Sequence, residues 1–129
     1  MKVFIADDSK SVIERLTDLL EEIPGALLVG RAGSVQAAVL GVEKTNPDAL
    51  ILDLQMPGGT GLDVLRAVRA DHPYLQVLIC TNHPHAKYRE ECLNAGANFF
   101  LDKSTEFEKI LPILRRLIRN ETNQLRTAR

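Results

Sequence analysis

The sequence predicts an α/β fold, a parallel sheet with helices on both faces. Three observations lead there. Five short apolar runs, Val3-Phe4-Ile5, Leu27-Leu28-Val29, Leu50-Ile51-Leu52, Val77-Leu78-Ile79 and Phe99-Phe100-Leu101, are continuous rather than alternating, as strands covered on both faces are. Helical stripes lie between successive runs, and strict β–α alternation implies right-handed crossovers into a parallel sheet. Four of the five runs lead into polar groups, and such sheets bind ligands at the carboxyl ends of their strands.

The elements follow in order. Asp7-Asp8 succeed the first run. Val12, Ile13, Leu16, Leu19, Leu20 and Ile23 then repeat at three and four, and Pro24-Gly25 stops that helix. Gly30-Arg31-Ala32 follow the second run and offer no convincing site group. Val35, Ala38, Val39 and Val42 mark the second helix, which ends before Pro47. The third run ends in Asp53 and a Pro-Gly-Gly turn, after which Leu62, Leu65 and Val68 mark a helix closed by Pro73. Thr81 ends the fourth run. The stretch from Ala86 to Ala95 is a weaker helix, closed by Gly96. Lys103 follows the fifth run. Phe107, Ile110, Leu111, Leu114, Leu117 and Ile118 form the last stripe, with Thr105 and Glu108 spaced as a capping box and Pro112 expected to bend the helix or delay its start. Residues 120–129 read as a polar tail, either a frayed helix end or a linker stub, after a domain spanning 1–119.

Bulk properties restrict the function. A chain of 129 residues suits one domain with a real core. A formal charge of −1 creates no strong field toward nucleic acid or membrane, and no apolar run approaches a membrane span. No signal-peptide pattern opens the chain. Cys80 and Cys92 form neither a disulfide framework nor a metal-ligand spacing, so they read as small apolar residues of a reduced, cytoplasmic protein. His72, His83 and His85 read as exposed turn or helix-start residues.

The polar set at the strand ends has restricted chemistry. Asp7, Asp8 and Asp53 would repel one another without a cation among them. Hard oxygen ligands with open positions suit Mg²⁺, which keeps waters and favours phosphate oxygens. A lysine and a hydroxyl nearby, Lys103 and Thr81, suit the spread charge of a transferring phosphoryl group, and one carboxylate can attack phosphorus to form an acyl phosphate. Neither GxGxxG nor GxxxxGK[ST] occurs.

In the motifs "IADDS", "ILDLQMPGGTG", "VLICTN" and "NAGANFFLDKS" the chain resembles the receiver domains of two-component response regulators, over roughly Met1 to Arg119. Its general pattern is most like the receivers of LuxR/NarL-type regulators. The resemblance implies a flavodoxin-like (βα)5 domain with strand order 2-1-3-4-5. It implies that Asp53 accepts a phosphoryl group from a histidine kinase or phosphotransfer protein. Asp8 would bind Mg²⁺ directly, Asp7 through water or hydrogen bonds, and Gln55 through its backbone carbonyl. Lys103 would pair with the phosphoryl group, Thr81 would bond one of its oxygens, and Phe100 would be the switch aromatic. Gln55, Asn82 and His83 would tune the lifetime of the acyl phosphate. The output would be a conformation that controls an effector or self-association through residues 86–119, without direct nucleic-acid or membrane binding by these residues.

The chain departs from the family pattern where Ser104 replaces a frequent proline, so the Lys103–Ser104 peptide is expected to be trans. Asn82 replaces a frequent small residue, and Phe100 lacks the hydroxyl of a frequent tyrosine. Two rival readings remain. One is a Mg²⁺-dependent phosphatase with an aspartyl nucleophile, against which Gln55 stands where a second acid is usual. The other is a pseudo-receiver that binds without phosphorylation, against which the complete acidic set stands.

Overall fold

The structure, a computed structural model, describes residues 1–127, with side chains to Glu121. Strands β1 (Lys2–Ala6), β2 (Leu27–Ala32), β3 (Ala49–Leu52), β4 (Gln76–Thr81) and β5 (Phe99–Asp102) alternate with helices α1 (Lys10–Glu21), α2 (Val35–Thr45), α3 (Gly61–Val68), α4 (Ala86–Asn94) and α5 (Ile110–Thr127). The strands form one parallel sheet of order β2-β1-β3-β4-β5, the arrangement expected for a flavodoxin-like chain. All five apolar runs lie within strands.

Side chains alternate across the strands and so build two cores. Phe4, Ala6, Leu50, Leu52, Val77, Ile79 and Phe100 face α2, α3 and α4, meeting Ala38, Val42, Val64, Leu65, Val68 and Cys92. Val3, Ile5, Ala49, Ile51, Leu78, Cys80 and Leu101 face α1 and α5, meeting Leu16, Leu20, Ile110 and Leu114. The Phe4 ring needs two glycines. A Cβ on Gly30 of β2 would stand 2.7 Å from it, and one on Gly41 of α2 would overlap it.

Local chemistry sets most helix ends. Ser9 and Ser34 cap α1 and α2 by accepting the Val12 and Ala37 N–H groups. Thr60 and Asp63 form a capping box on α3. Asn46 closes α2 in the left-handed region, just before Pro47. Helix α4 buries only Cys92, consistent with its weak pattern.

Two features differ from expectation, and one open alternative takes a definite form. The Thr105–Glu108 capping box does not form. A 3₁₀ turn at Phe107–Lys109 leads into α5 instead, and it is Glu106 that reaches back, accepting the Asp102 N–H at 3.0 Å. Burial of Phe107 and Ile110 sets this entry. Pro112 then falls in the first turn of α5, where its missing N–H has no helical partner to lose. Of the two readings of the tail, the helix end agrees with α5, which runs on past Arg119 to Thr127, while residues 128 and 129 lie outside the described residues. Finally, Gln55–Met56 and Gly59–Thr60 pair as a small antiparallel hairpin in the loop after β3. Its tip needs positive φ at Gly58 (91°) and Gly59 (148°), which glycine adopts without strain.

Candidate functional site

The strand ladders continue one residue past β1 and β3 and carry two acids into the rim. Asp7 N–H donates to the Ala32 carbonyl, and Asp53 N–H to the Ala6 carbonyl, both at 2.9 Å. These bonds fix both backbones, and both side chains are buried. Asp8 follows as the exposed member. Oxygens of Asp7, Asp8 and Asp53 come within 4.8 Å of one another. Asp7 also accepts the Ser9 N–H at 2.8 Å, which ties it to the start of α1.

Lys103 arrives by the pairing of the last two strands. Its N–H donates to the Thr81 carbonyl at 2.8 Å. Its ammonium then reaches Asp7 Oδ2 at 2.7 Å and Asp53 Oδ2 at 3.2 Å. Thr81 is fully buried, and its hydroxyl accepts the His83 N–H at 3.0 Å. Asn82, His83 and Gln55 are exposed around the rim, and the Gln55 N–H lies 3.4 Å from Asp53 Oδ1. Phe100 sits one layer down, 6% exposed, with the Arg89 guanidinium 6.0 Å from its ring centre.

The electrostatics follow from this packing. Burial raises the Asp53 carboxyl above its ordinary value, and the neighbouring Asp7 charge adds to the effect. Lys103 opposes both without cancelling them. Burial works against the Lys103 cation, but the Asp7 hydrogen bond and the two carboxylate charges outweigh it, so its pKa is raised. Asp7 and Asp53 thus share one lysine, with the Asp8 carboxylate close by. A set of three carboxylates within 4.8 Å of one another, all oxygen donors and open on the Asp8 side, fits the hard-ligand chemistry of Mg²⁺, which Asp7, Asp8 and Asp53 would hold.

All the site residues expected from the sequence sit at this rim or, for Phe100, directly beneath it. The Lys103–Ser104 peptide is trans. Ser104 donates both its N–H, at 2.9 Å, and its hydroxyl, at 2.7 Å, to Asp102 Oδ1, and a proline would supply neither. Burial pushes the Cys80 and Cys92 thiols up to about 12 and about 11, which keeps them unreactive. The sequence reading missed the segment after β2. Gly33 packs toward the backbone of Asp7 and Asp8, and the Val35 N–H donates to the Pro57 carbonyl at 3.1 Å. Both contacts involve main chain, so no side-chain motif could signal them.

Comparison with known proteins agrees with this geometry. The family model described as "Response regulator receiver domain" matches residues 3–115. The DNA-binding transcriptional activator DevR/DosR of Mycobacterium tuberculosis is 35% identical over 103 residues, covering 80% of this chain and 48% of that protein. The chain therefore spans about half the length of this relative. Among solved structures, the signal receiver domain of the putative response regulator NarL from Mycobacterium tuberculosis has a TM-score of 0.82 at 27% identity, covering 92% of this chain and 95% of that one. The response regulator domain of Thermotoga maritima CheB gives 0.80 at 27% identity, covering 95% and 96%. An acidic rim at the ends of β1 and β3, a lysine from the end of β5 and a family match across nearly the whole sheet lead to one conclusion: the chain belongs to the receiver domains of two-component response regulators.

Proposed function

We propose that this domain is a phosphorylation-controlled switch in which Asp53 is the acceptor. One observation carries the reading: a buried carboxylate, raised in pKa, meets two further acids and a lysine at a single strand-end rim. Asp7, Asp8, Asp53 and the Gln55 main-chain carbonyl would hold Mg²⁺, which when bound supplies positive charge to the acids and to phosphoryl oxygens. An Asp53 oxygen attacks phosphorus as the bond from phosphorus to the donor histidine nitrogen breaks, leaving an aspartyl phosphate. Lys103 neutralises the added oxygens. Water later cleaves the phosphorus–oxygen bond and restores the carboxylate. Exposed Gln55, Asn82 and His83 flank the approach of that water and set the lifetime.

The domain promotes only its own phosphorylation and dephosphorylation, so its product is a conformation rather than a metabolite. Thr81 and Phe100 form the switch pair, and residues 86–119 carry the response to an effector or a second copy. A histidine kinase or phosphotransfer protein supplies the phosphoryl group, in the cytoplasm. The described residues contain no helix long and apolar enough to cross a membrane.

Incubation with acetyl phosphate and Mg²⁺, read by intact-mass spectrometry, tests the assignment. One phosphoryl group is expected on the parent and none on Asp53→Asn. Equal labelling of the two proteins would refute it.

A further inference from the structure

The strand β2 sends no side chain to the site, yet the segment after it touches the loop that carries Asp53 and Gln55. We infer that the hydrogen bond from Val35 N–H to the Pro57 carbonyl is a positioning contact for the metal site, made by the first residue of α2. The inference rests on the receiver reading above and names a residue of that site.

The loop from Asp53 to Gly61 is restrained within itself by the pairing of Gln55–Met56 with Gly59–Thr60 and by two further contacts at its base. Gln55 N–H points to Asp53 Oδ1 at 3.4 Å, and Gly61 N–H donates to the Leu54 carbonyl at 2.9 Å. Neither holds the tip. There, Pro57 is followed by Gly58 and Gly59, both at positive φ, a pair with wide backbone freedom. Val35 N–H grips that tip from another element, at 3.1 Å. The donor is free for the task because an α-helix leaves its first N–H groups without internal partners. The capping hydroxyl of Ser34 is committed to Ala37 N–H, at 3.2 Å. The partial positive charge of a helix N-terminus also favours a carbonyl oxygen there. Met56, between Gln55 and Pro57, is buried in the core against which Val35 packs, so tip and base move together. A metal ligand supplied by main chain, as the Gln55 carbonyl would be, is held by the hairpin pairing within its own loop and by this contact from α2.

The position allows a clean test. Proline is favoured as the first residue of a helix, and the preceding Ser34 is already extended, at φ −143° and ψ 162°, as a residue before proline must be. Val35→Pro removes the donor and points a ring carbon at the Pro57 carbonyl oxygen, now 3.1 Å from the Val35 nitrogen. Replacing Val35 by its α-hydroxy acid exchanges the N–H for an ester oxygen without adding atoms. Val35→Ala keeps the N–H and loses only methyl groups. Mg²⁺ affinity is measured by NMR titration, amide exchange at residues 58–61 is followed in the metal-free protein, and helix content is measured by circular dichroism. The proline and ester variants are expected to bind Mg²⁺ about fivefold more weakly or worse. They should exchange faster at residues 58–61 with unchanged helix content, while Val35→Ala stays close to the parent. Parent-like affinity in the ester variant overturns the inference, as does an equal loss in Val35→Ala, which would assign the effect to side-chain packing. If the parent itself binds no Mg²⁺, the receiver reading fails and this inference fails with it. Unchanged exchange at 58–61 in the metal-free ester variant removes the positioning contact alone.

Discussion

Asp53 is held beside Asp7 with one lysine serving both, at 2.7 Å and 3.2 Å. The arrangement suits a nucleophile that must also receive a cation, and it is unfavourable for the free fold. A carboxyl whose pKa is raised by burial works against folding once ionised. Asp53→Asn removes that charge and leaves the Lys103–Asp7 pair intact. With metal chelated at neutral pH, the variant should therefore melt about 2–5 °C above the parent. Mg²⁺ should raise the melting temperature of the parent and have much less effect on the variant. Calorimetry with and without chelator reads both, and a lower melting temperature for the variant would contradict the electrostatic account. Asn82 and His83 are exposed beside the acceptor, and the His83 main-chain N–H holds the Thr81 hydroxyl. If their side chains shield the acyl phosphate, replacing both with alanine will speed its decay while sparing that main-chain bond. Slower or unchanged decay, followed by loss of the phosphorylated mass, would refute shielding.

At the scale of elements, packing overrules propensity. Gly41 lies inside α2, where alanine would favour the helix by about 1 kcal/mol. An added Cβ there would overlap the Phe4 ring, and forcing atoms into a packed core costs about 1–3 kcal/mol. Gly41→Ala should therefore lower the melting temperature despite the better helix former. Combining it with Phe4→Leu, which vacates the overlap, should recover part of the loss. A Gly41→Ala protein more stable than the parent would show that the ring and α2 can separate cheaply. Helix α4 shows the opposite condition. It buries one residue, its N-cap makes no side-chain bond, and its far end is tied in by Arg69, which donates to the Gly96 carbonyl at 2.5 Å. An element held at one end and open at the other can be moved by small changes at the site.

Across the whole molecule, the sheet separates two cores. The acid rim stands over both, while Phe100, Cys92 and the buried edge of α4 belong to the core on the α2–α3–α4 side. Phe100 is buried, and its ring has no hydroxyl to keep solvated. In the proposed switch the Thr81 hydroxyl, which accepts the His83 N–H, would donate its own proton to a phosphoryl oxygen, and α4 begins a few residues further along the chain. Thr81→Ala should bind beryllofluoride, because Asp53 and the other acids remain, but should show a blunted change in hydrogen exchange over residues 86–119. A full response in that variant would disprove the part assigned to Thr81.

The order of elements and most of the site were legible in the sequence because both leave side-chain signals. Continuous apolar runs report strands buried on two faces, and an acid or lysine after such a run can only emerge at the rim. Asp7, Asp8, Asp53, Thr81 and Lys103 were readable for that reason. Tertiary structure alone decided that Lys103 bridges two acids lying 96 and 50 residues away in the chain. It also turned Phe100 inward, set a 3₁₀ turn where a capping box was expected, and folded the Pro-Gly-Gly turn into a hairpin gripped by α2. These outcomes depend on distances between segments and on main-chain donors, and every residue except proline carries the same N–H, so no pattern of residue types can announce which one will be used.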